Sequence, residues 1–403
     1  MPSYVIAGAS LAGAKAAETL RDEGFDGDIV LIGSESERPY ERPPLSKGYL
    51  LGSDQRDSVY VHAAGWYAEN GVDLREGVTV TAIDRSARTV ATSSGAQVSY
   101  DRLLLATGAS PRRLNPSSFP GSDREEVLYL RTIADSDRLR SAFQAGTRVV
   151  VAGAGWIGLE TAAAARTAEC AVTVLEPQPG ALTDQLGPEL GAVFADVHRA
   201  HGVEFLFGEK AVEFRPGMVI TSGGAEIPAD ILVVGIGAAP NDDLAARAGL
   251  ETGNGVLTDE ALRTSDPDIF AAGDVANSVH PLLGRRVRVE HWANALNGGP
   301  AAARSMLGQA VRYDPVPYFY SDQYDLGMEC AGLPSPGTYD QVLYRGDRDT
   351  LEFIAFWLSG GVVVAGMNVN VWDVNDDIQA LIRAARPVDP ARLTNPDNPL
   401  TDI

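Results

Sequence analysis

The sequence predicts an α/β chain: two parallel-sheet βαβ units, and behind them a smaller α+β domain. Three observations predict it. A glycine-rich turn between an apolar strand and a helix occurs twice, at Gly8–Gly13 and again at Gly153–Gly158. Each turn's helix is followed by a second apolar strand, so both copies stand in full βαβ context. From about Asp314 the pattern changes to two long apolar segments with strand-like alternation and one late helical period.

Composition narrows the function classes. Among the 403 residues, 33 Lys and Arg stand against 54 Asp and Glu, a formal net charge of −21 that disfavours nucleic-acid coating. The 2 cysteines, Cys170 and Cys330, are far apart and have no metal-ligand spacing, so neither a disulfide scaffold nor a zinc site is expected. His62, His198, His201, His280 and His291 show no metal spacing either, and no metal is expected. No apolar run approaches the roughly 20 residues that span a bilayer, and Met1–Ile6 enters a strand without a basic and then apolar leader. A cytoplasmic protein with neither a membrane nor a nucleic-acid partner is expected.

The elements follow in order. Tyr4–Gly8 reads as a buried strand that runs into Gly8, Ala12 and Gly13, with Ser10 where a second glycine would stand. A helix continues through Arg21, and Asp28–Gly33 is the second strand. Ser34 follows, and Glu35 is the first carboxylate available to a ribose. Tyr100–Gly108 is a strand ending in a small-residue turn. The second unit comprises the strand Arg148–Gly153, the turn residues Gly153, Gly155, Trp156, Ile157 and Gly158, an alanine-rich helix, and the strand Ala171–Glu176. In such turns the first glycine bends the chain, the second admits a pyrophosphate, and the third lets helix pack on strand. The phosphates then face a helix N-terminus with unpaired N–H groups. Glu176 closes its strand where an acid holds ribose hydroxyls, and no Lys or Arg occurs between it and Arg199 to clamp a 2′-phosphate. NADH is therefore expected over NADPH. Thr264–Asp274 is a strand leading to a Gly273-Asp274 corner. Leu351–Leu358 and Gly361–Val371 read as antiparallel strands, Val374–Ala385 as a helix, and the residues from Pro387 onward as an extended tail.

Two nucleotide turns on one chain imply one tightly held and one exchanging cofactor. Together with Arg42-Pro43-Pro44-Leu45-Ser46-Lys47 and Ser321-Asp322-Gln323-Tyr324-Asp325 they carry a family resemblance. Over essentially its whole length the chain resembles the FAD-dependent NADH:ferredoxin reductases of bacterial oxygenase and P450 systems. These are glutathione-reductase-like members of the pyridine nucleotide-disulfide oxidoreductase superfamily that lack the redox disulfide. Here Lys47-Gly48-Tyr49-Leu50-Leu51 likewise carries no cysteine, so the electrons must leave to oxygen or to an external carrier.

The resemblance implies an FAD-binding domain in two parts, 1–109 and 236–313, a NAD-binding domain 110–235 between them, and a C-terminal α+β domain 314–403. It implies non-covalent FAD contacted by Gly8, Ala12, Gly13, Ser34, Glu35, Arg42, Lys47, Val80, Arg131, Gly273, Asp274 and Trp292. Lys47 and Glu160 are expected as the catalytic pair where nicotinamide docks. Trp156 is expected to shield the flavin until nicotinamide displaces it, and Ile236 and Gly237 to touch NADH. The partner implied is a [2Fe–2S] ferredoxin, docking near Arg285, Arg286 and Arg288, where five arginines between Arg285 and Arg312 outnumber a single glutamate. Phe319-Tyr320 stands where relatives commonly carry Phe-Trp, which puts an electron exit through tryptophan in question. The alternatives are a rubredoxin reductase, or a flavin- and NAD-binding redox-sensing interaction protein of the apoptosis-inducing-factor kind.

Overall fold

The computed structural model describes residues 1–403. The chain forms two compact units, each assembled from separated stretches of sequence.

The first unit comprises Met1–Glu41, Arg56–Ser110 and Ala238–Pro317. Its centre is a five-stranded parallel sheet in the order Ile269–Ala271, Arg102–Leu105, Ser3–Ala7, Asp28–Ile32, Val72–Arg75. The three central strands are near-continuous apolar runs because both faces of a parallel sheet are covered; Val5, Ile6, Leu31, Leu103 and Leu104 are buried. One face carries the helices Leu11–Asp22 and Trp292–Met306. They approach so closely that a Cβ on Gly299 would lie 2.3 Å from the Ala12 carbonyl oxygen. The other face packs against Val80, Ile83, Val90 and Val98 of a small antiparallel sheet.

The second unit comprises Arg42–Gln55, Pro111–Gly237 and Tyr318–Ile403. Its parallel sheet runs in the order Val203–Phe207, Ala171–Glu176, Arg148–Ala152, Ile231–Val234, Val127–Leu128. The C-terminal part is a five-stranded antiparallel sheet ordered Tyr318–Gln323, Leu326–Gly332, Val362–Val369, Glu352–Ser359, Gln341–Asp347. The helix Asn375–Ala384 packs on it with Ile378 seated over Gly366, where a Cβ would come within 2.5 Å of Ile378 Cγ2. This sheet is fastened to the nucleotide-fold part of the same unit: the buried Trp357 donates its Nε1–H to the Leu186 carbonyl at 3.2 Å, and Tyr344 donates to Glu189 at 2.9 Å.

The residues beyond Pro387 differ from the extended tail expected. Asp389 caps a short helix, Pro390–Thr394, with proline at its first position, which suits a residue lacking an N–H. Leu393 and Leu400 are buried, so apolar anchoring at two points overrides the proline-rich composition. No helix is long and apolar enough to cross a membrane.

Candidate functional site

The two glycine turns have the same construction. At Gly153, φ is +106° and a Cβ would lie 2.4 Å from the Gly235 carbonyl oxygen; at Gly158 it would lie 2.1 Å from the Gly153 carbonyl oxygen. Side chains are excluded at both positions by backbone. Gly155 is different, because a Cβ there meets nothing within 4 Å. The open side of the turn is at the glycine that a pyrophosphate would approach. Gly8 and Gly13 repeat the close contacts in the first unit, with would-be Cβ atoms 2.0 Å from the Ala106 and Gly8 carbonyl oxygens.

Ser10 and Gly155 are the N-caps of the helices Leu11–Asp22 and Trp156–Thr167. Neither makes a side-chain capping bond, and neither first turn carries an acid. Their leading N–H groups and positive dipole ends are left to an anion. The residues present fit two dinucleotides on these grounds.

Around the second turn, Glu176 accepts the Ala154 N–H at 2.7 Å on one oxygen and the Gln178 N–H at 2.9 Å on the other. The acid expected at the ribose is thus tied to the turn itself. Ile157, in the first turn of the helix Trp156–Thr167, and Ile236, in the loop after the strand Ile231–Val234, are 46% and 42% exposed, large apolar side chains left uncovered near where Gly153 approaches Gly235. Trp156 stands edge-on to Phe194 and Phe319, with ring centroids at 5.3 and 5.1 Å. The Arg112 N–H holds Gly237 through its carbonyl at 2.9 Å.

In the first unit, Gly273 and Asp274 form a short 3₁₀ turn whose Gly273 would place a Cβ 3.2 Å from Ala12 Cβ. The corner therefore sits on the glycine turn. Glu35 accepts a hydrogen bond from Tyr40, and the Gly77 N–H donates to the Glu35 carbonyl at 2.8 Å, which fixes the turn that also holds Ser34. Val80 is buried at the start of the adjoining strand. Trp292 opens its helix next to His291, whose imidazole is pushed down to about 4 by burial against the opposing pull of Asp274.

The Lys47–Glu160 pair lies wholly within the second unit. Lys47 Nζ is 2.6 Å from Glu160 Oε1, and the side chains are 14% and 3% exposed. Ser321 donates to the same Oε1 at 2.6 Å, and Ser46 donates to Oε2. Both carboxylate oxygens are thereby engaged, the condition under which a buried ion pair is tolerated. Lys47 Nζ also lies 5.4 Å from the centroid of the Tyr320 ring. A cavity of about 590 Å³ adjoins the pair, with Tyr320, Asp322 and Tyr324 on its wall. Burial raises the Asp322 carboxyl above its ordinary range, opposed by Lys47 and reinforced by Glu160. Arg42 donates to the Arg131 carbonyl, and Arg131 precedes the capping box of Thr132 and Asp135. The arrangement supplies a desolvated cation whose position a fully bonded carboxylate fixes.

The arginine surplus between Arg285 and Arg312 is smaller in space than in sequence. Arg288 is 11% exposed, pairs with Glu290 and donates to the Asp274 carbonyl at 3.2 Å, so it braces the corner rather than facing outward. Arg304 pairs with Glu23 at 2.8 Å and Arg312 with Asp314 at 3.7 Å. Arg285 and Arg286 are exposed.

Sequence reasoning missed Ser46 and Ser321 as hydrogen-bond partners of Glu160, and Gln323 and His198 lined up behind Ser321. Ser321 and Gln323 stand at i and i+2 of one strand and so share a face. That signal was available within a motif read only for its resemblance.

Comparison with known proteins accords with this geometry. Residues 2–299 match the family described as pyridine nucleotide-disulphide oxidoreductase, and residues 318–403 match the reductase C-terminal family. The chain is 39% identical to the ferredoxin–NAD(+) reductase component of the anthranilate 1,2-dioxygenase system of Burkholderia cepacia, over 98% of this chain and 97% of that one. It is 37% identical to putidaredoxin reductase of Pseudomonas putida, over 100% and 96%. Among solved structures, it superposes on the reductase of the covalent putidaredoxin reductase–putidaredoxin complex with a TM-score of 0.95 and 36% identity, covering 100% of this chain and 97% of that one. Likeness at this level along both chains places the protein in the pyridine nucleotide-disulphide oxidoreductase family, among the ferredoxin–NAD(+) reductases, enzymes that bind a flavin and a pyridine nucleotide.

Proposed function

We propose that the chain is a cytoplasmic NADH:ferredoxin reductase. It takes hydride from NADH with non-covalently bound FAD as acceptor and passes single electrons to a [2Fe–2S] ferredoxin serving a cytochrome P450 or a ring-hydroxylating dioxygenase. Bound flavin supplies the conversion from two-electron to one-electron transfer. The observation that carries the reading is the buried Lys47–Glu160 pair, whose Glu160 stands on the helix that begins at the second nucleotide turn. The segment Lys47–Leu51 holds no thiol, and Cys170 and Cys330 are buried elsewhere, so no disulfide relay competes with an external carrier.

In this reading segments 1–109 and 236–313 hold the flavin nucleotide, 110–235 holds NADH, and 314–403 forms the C-terminal domain. Gly8, Ala12, Gly13, Ser34, Glu35, Val80, Gly273, Asp274 and Trp292 are assigned to FAD, with Arg42, Lys47 and Arg131 as its cations. Gly153, Gly155 and Gly158 receive the pyrophosphate of NADH, and Trp156, Ile157, Ile236 and Gly237 flank it. Glu160 holds Lys47 in place where nicotinamide arrives. Glu176 accepts hydrogen bonds from the ribose hydroxyls and repels a 2′-phosphate. An acidic ferredoxin docks over Arg285 and Arg286, and Arg288, committed to Glu290, is left out of that surface.

Rapid-mixing reduction of the flavin by each nucleotide tests the reading. Two like charges 4 Å apart repel by ~1 to ~4 kcal/mol according to solvent access, so NADH is expected to exceed NADPH roughly 5- to 1000-fold in kcat/KM. Equal values would refute the role of Glu176. A colourless protein that takes up no FAD would refute the whole.

A further inference from the structure

We propose that Gln323 and His198 are positioning residues for the Lys47–Glu160 pair: through Ser321 they fix the direction of the hydrogen bond that holds Glu160. The Ser321 hydroxyl carries one proton and has two neighbours, Glu160 Oε1 at 2.6 Å and Gln323 Nε2 at 3.0 Å. The amide nitrogen can only donate and the carboxylate can only accept. Ser321 therefore receives from Gln323 and gives its proton to Glu160. The amide is oriented in turn by His198, whose Nε2 lies 2.8 Å from Gln323 Oε1 and must carry the hydrogen. His198 Nδ1 is left as the acceptor, and Tyr324 Oη faces it at 3.4 Å.

Ser321, Gln323 and His198 are 1%, 1% and 0% exposed, so water does not compete for these bonds. The groups facing His198 are Gln323, Tyr324, the edge of Phe205 and His201. Burial, opposed by the hydrogen bond to Gln323 and aided by the neighbouring His201, favours the uncharged ring, with a pKa of about 4, and only the uncharged ring leaves Nδ1 able to accept. Tyr324 is held at φ +57°, a conformation that disfavours a side chain, with its ring stacked on His201 at 3.7 Å. Packing thus fixes the far end of the chain. Three elements are tied to one carboxylate: the helix of Glu160, the strand of Ser321 and Gln323, and the helix Pro188–Ala200 that carries His198.

The inference rests on the assignment of hydride transfer to this pair, and the experiment separates the two. In holoenzyme with ¹⁵N-labelled histidine, His198 is expected as the Nε2–H tautomer, uncharged at pH 6, with an Nε2 resonance that shifts in Glu160→Gln. The Nδ1–H tautomer or an unmoved resonance overturns the inference. In rapid-mixing reduction by NADH, His198→Leu is expected to slow the step about three- to tenfold, and His198→Gln, which keeps an N–H donor there, to recover it to within about twofold. In a Glu160→Gln background His198→Leu should add nothing, whereas an equal slowing in both backgrounds marks a merely structural residue and overturns the proposal. If Glu160→Gln leaves reduction by NADH unchanged, the assignment of hydride transfer falls, and the imidazole resonance alone decides whether the chain positions Glu160.

Discussion

At the residue scale, the energetics of Glu160 follow from its surroundings. It accepts from Lys47, Ser321 and Ser46 in a site that is almost dry. Removing one partner of such a pair leaves a buried uncompensated group, at a typical cost of about 3–5 kcal/mol, whereas removing both does not. Lys47→Met and Glu160→Gln are each expected to slow reduction by NADH, and the double variant to be less impaired than the sum of the two. Additive effects on the rapid-mixing rate would show that the residues act separately. The pair was legible in the sequence, Lys47 in the Arg42–Lys47 motif and Glu160 two residues after Gly158. Its supports were not, because Ser46 and Ser321 reach Glu160, and His198 reaches Ser321 by way of Gln323, only through tertiary packing, and no local pattern encodes a contact 161 residues apart in sequence.

At the element scale, the glycine turns separate structure from binding. Gly158→Ala forces a Cβ to 2.1 Å from a backbone carbonyl, and overpacking of that kind typically costs about 1–3 kcal/mol. Gly155→Ala points a methyl into open space. Thermal unfolding should therefore register Gly158→Ala and leave Gly155→Ala near wild type, while Gly155→Ala raises the KM for NADH. A Gly155→Ala variant with unchanged KM would contradict the assignment of the open side of the turn to the pyrophosphate. Both turns and most strands could be read from apolar runs broken by glycine, as with Ala171–Glu176. The segment after Pro387 could not, since its helix depends on where Leu393 and Leu400 find a core. Leu393→Ala should lower stability by about 2–5 kcal/mol, checked by denaturant unfolding, and an unchanged midpoint would return the segment to an unanchored tail.

At the scale of the whole molecule, His291 in the first unit and His198 in the second are both held as neutral rings, with a pKa of about 4. The folded value lies below the ordinary value of 6.5, so the unfolded chain binds the extra proton. Stability is therefore complete above pH 6.5 and falls as the pH drops toward 4, by at most about 1.4 kcal/mol per pH unit for each ring. Thermal unfolding between pH 7 and 4.5 should show this fall, with a shallower slope in His198→Gln; equal slopes would mean that His198 takes up its proton in the fold. A net charge of −21 leaves docking of an acidic partner to local charge, and Arg285 and Arg286 are exposed cations on the strand Arg285–Arg288. Added salt should weaken ferredoxin turnover more than flavin reduction by NADH. Transfer from NADH to a ferredoxin is checked by NADH-driven cytochrome c reduction with and without a series of [2Fe–2S] ferredoxins. The rate is expected to rise and saturate with at least one ferredoxin and to be slowed in Lys47→Met. A slow rate that ignores every ferredoxin would contradict it.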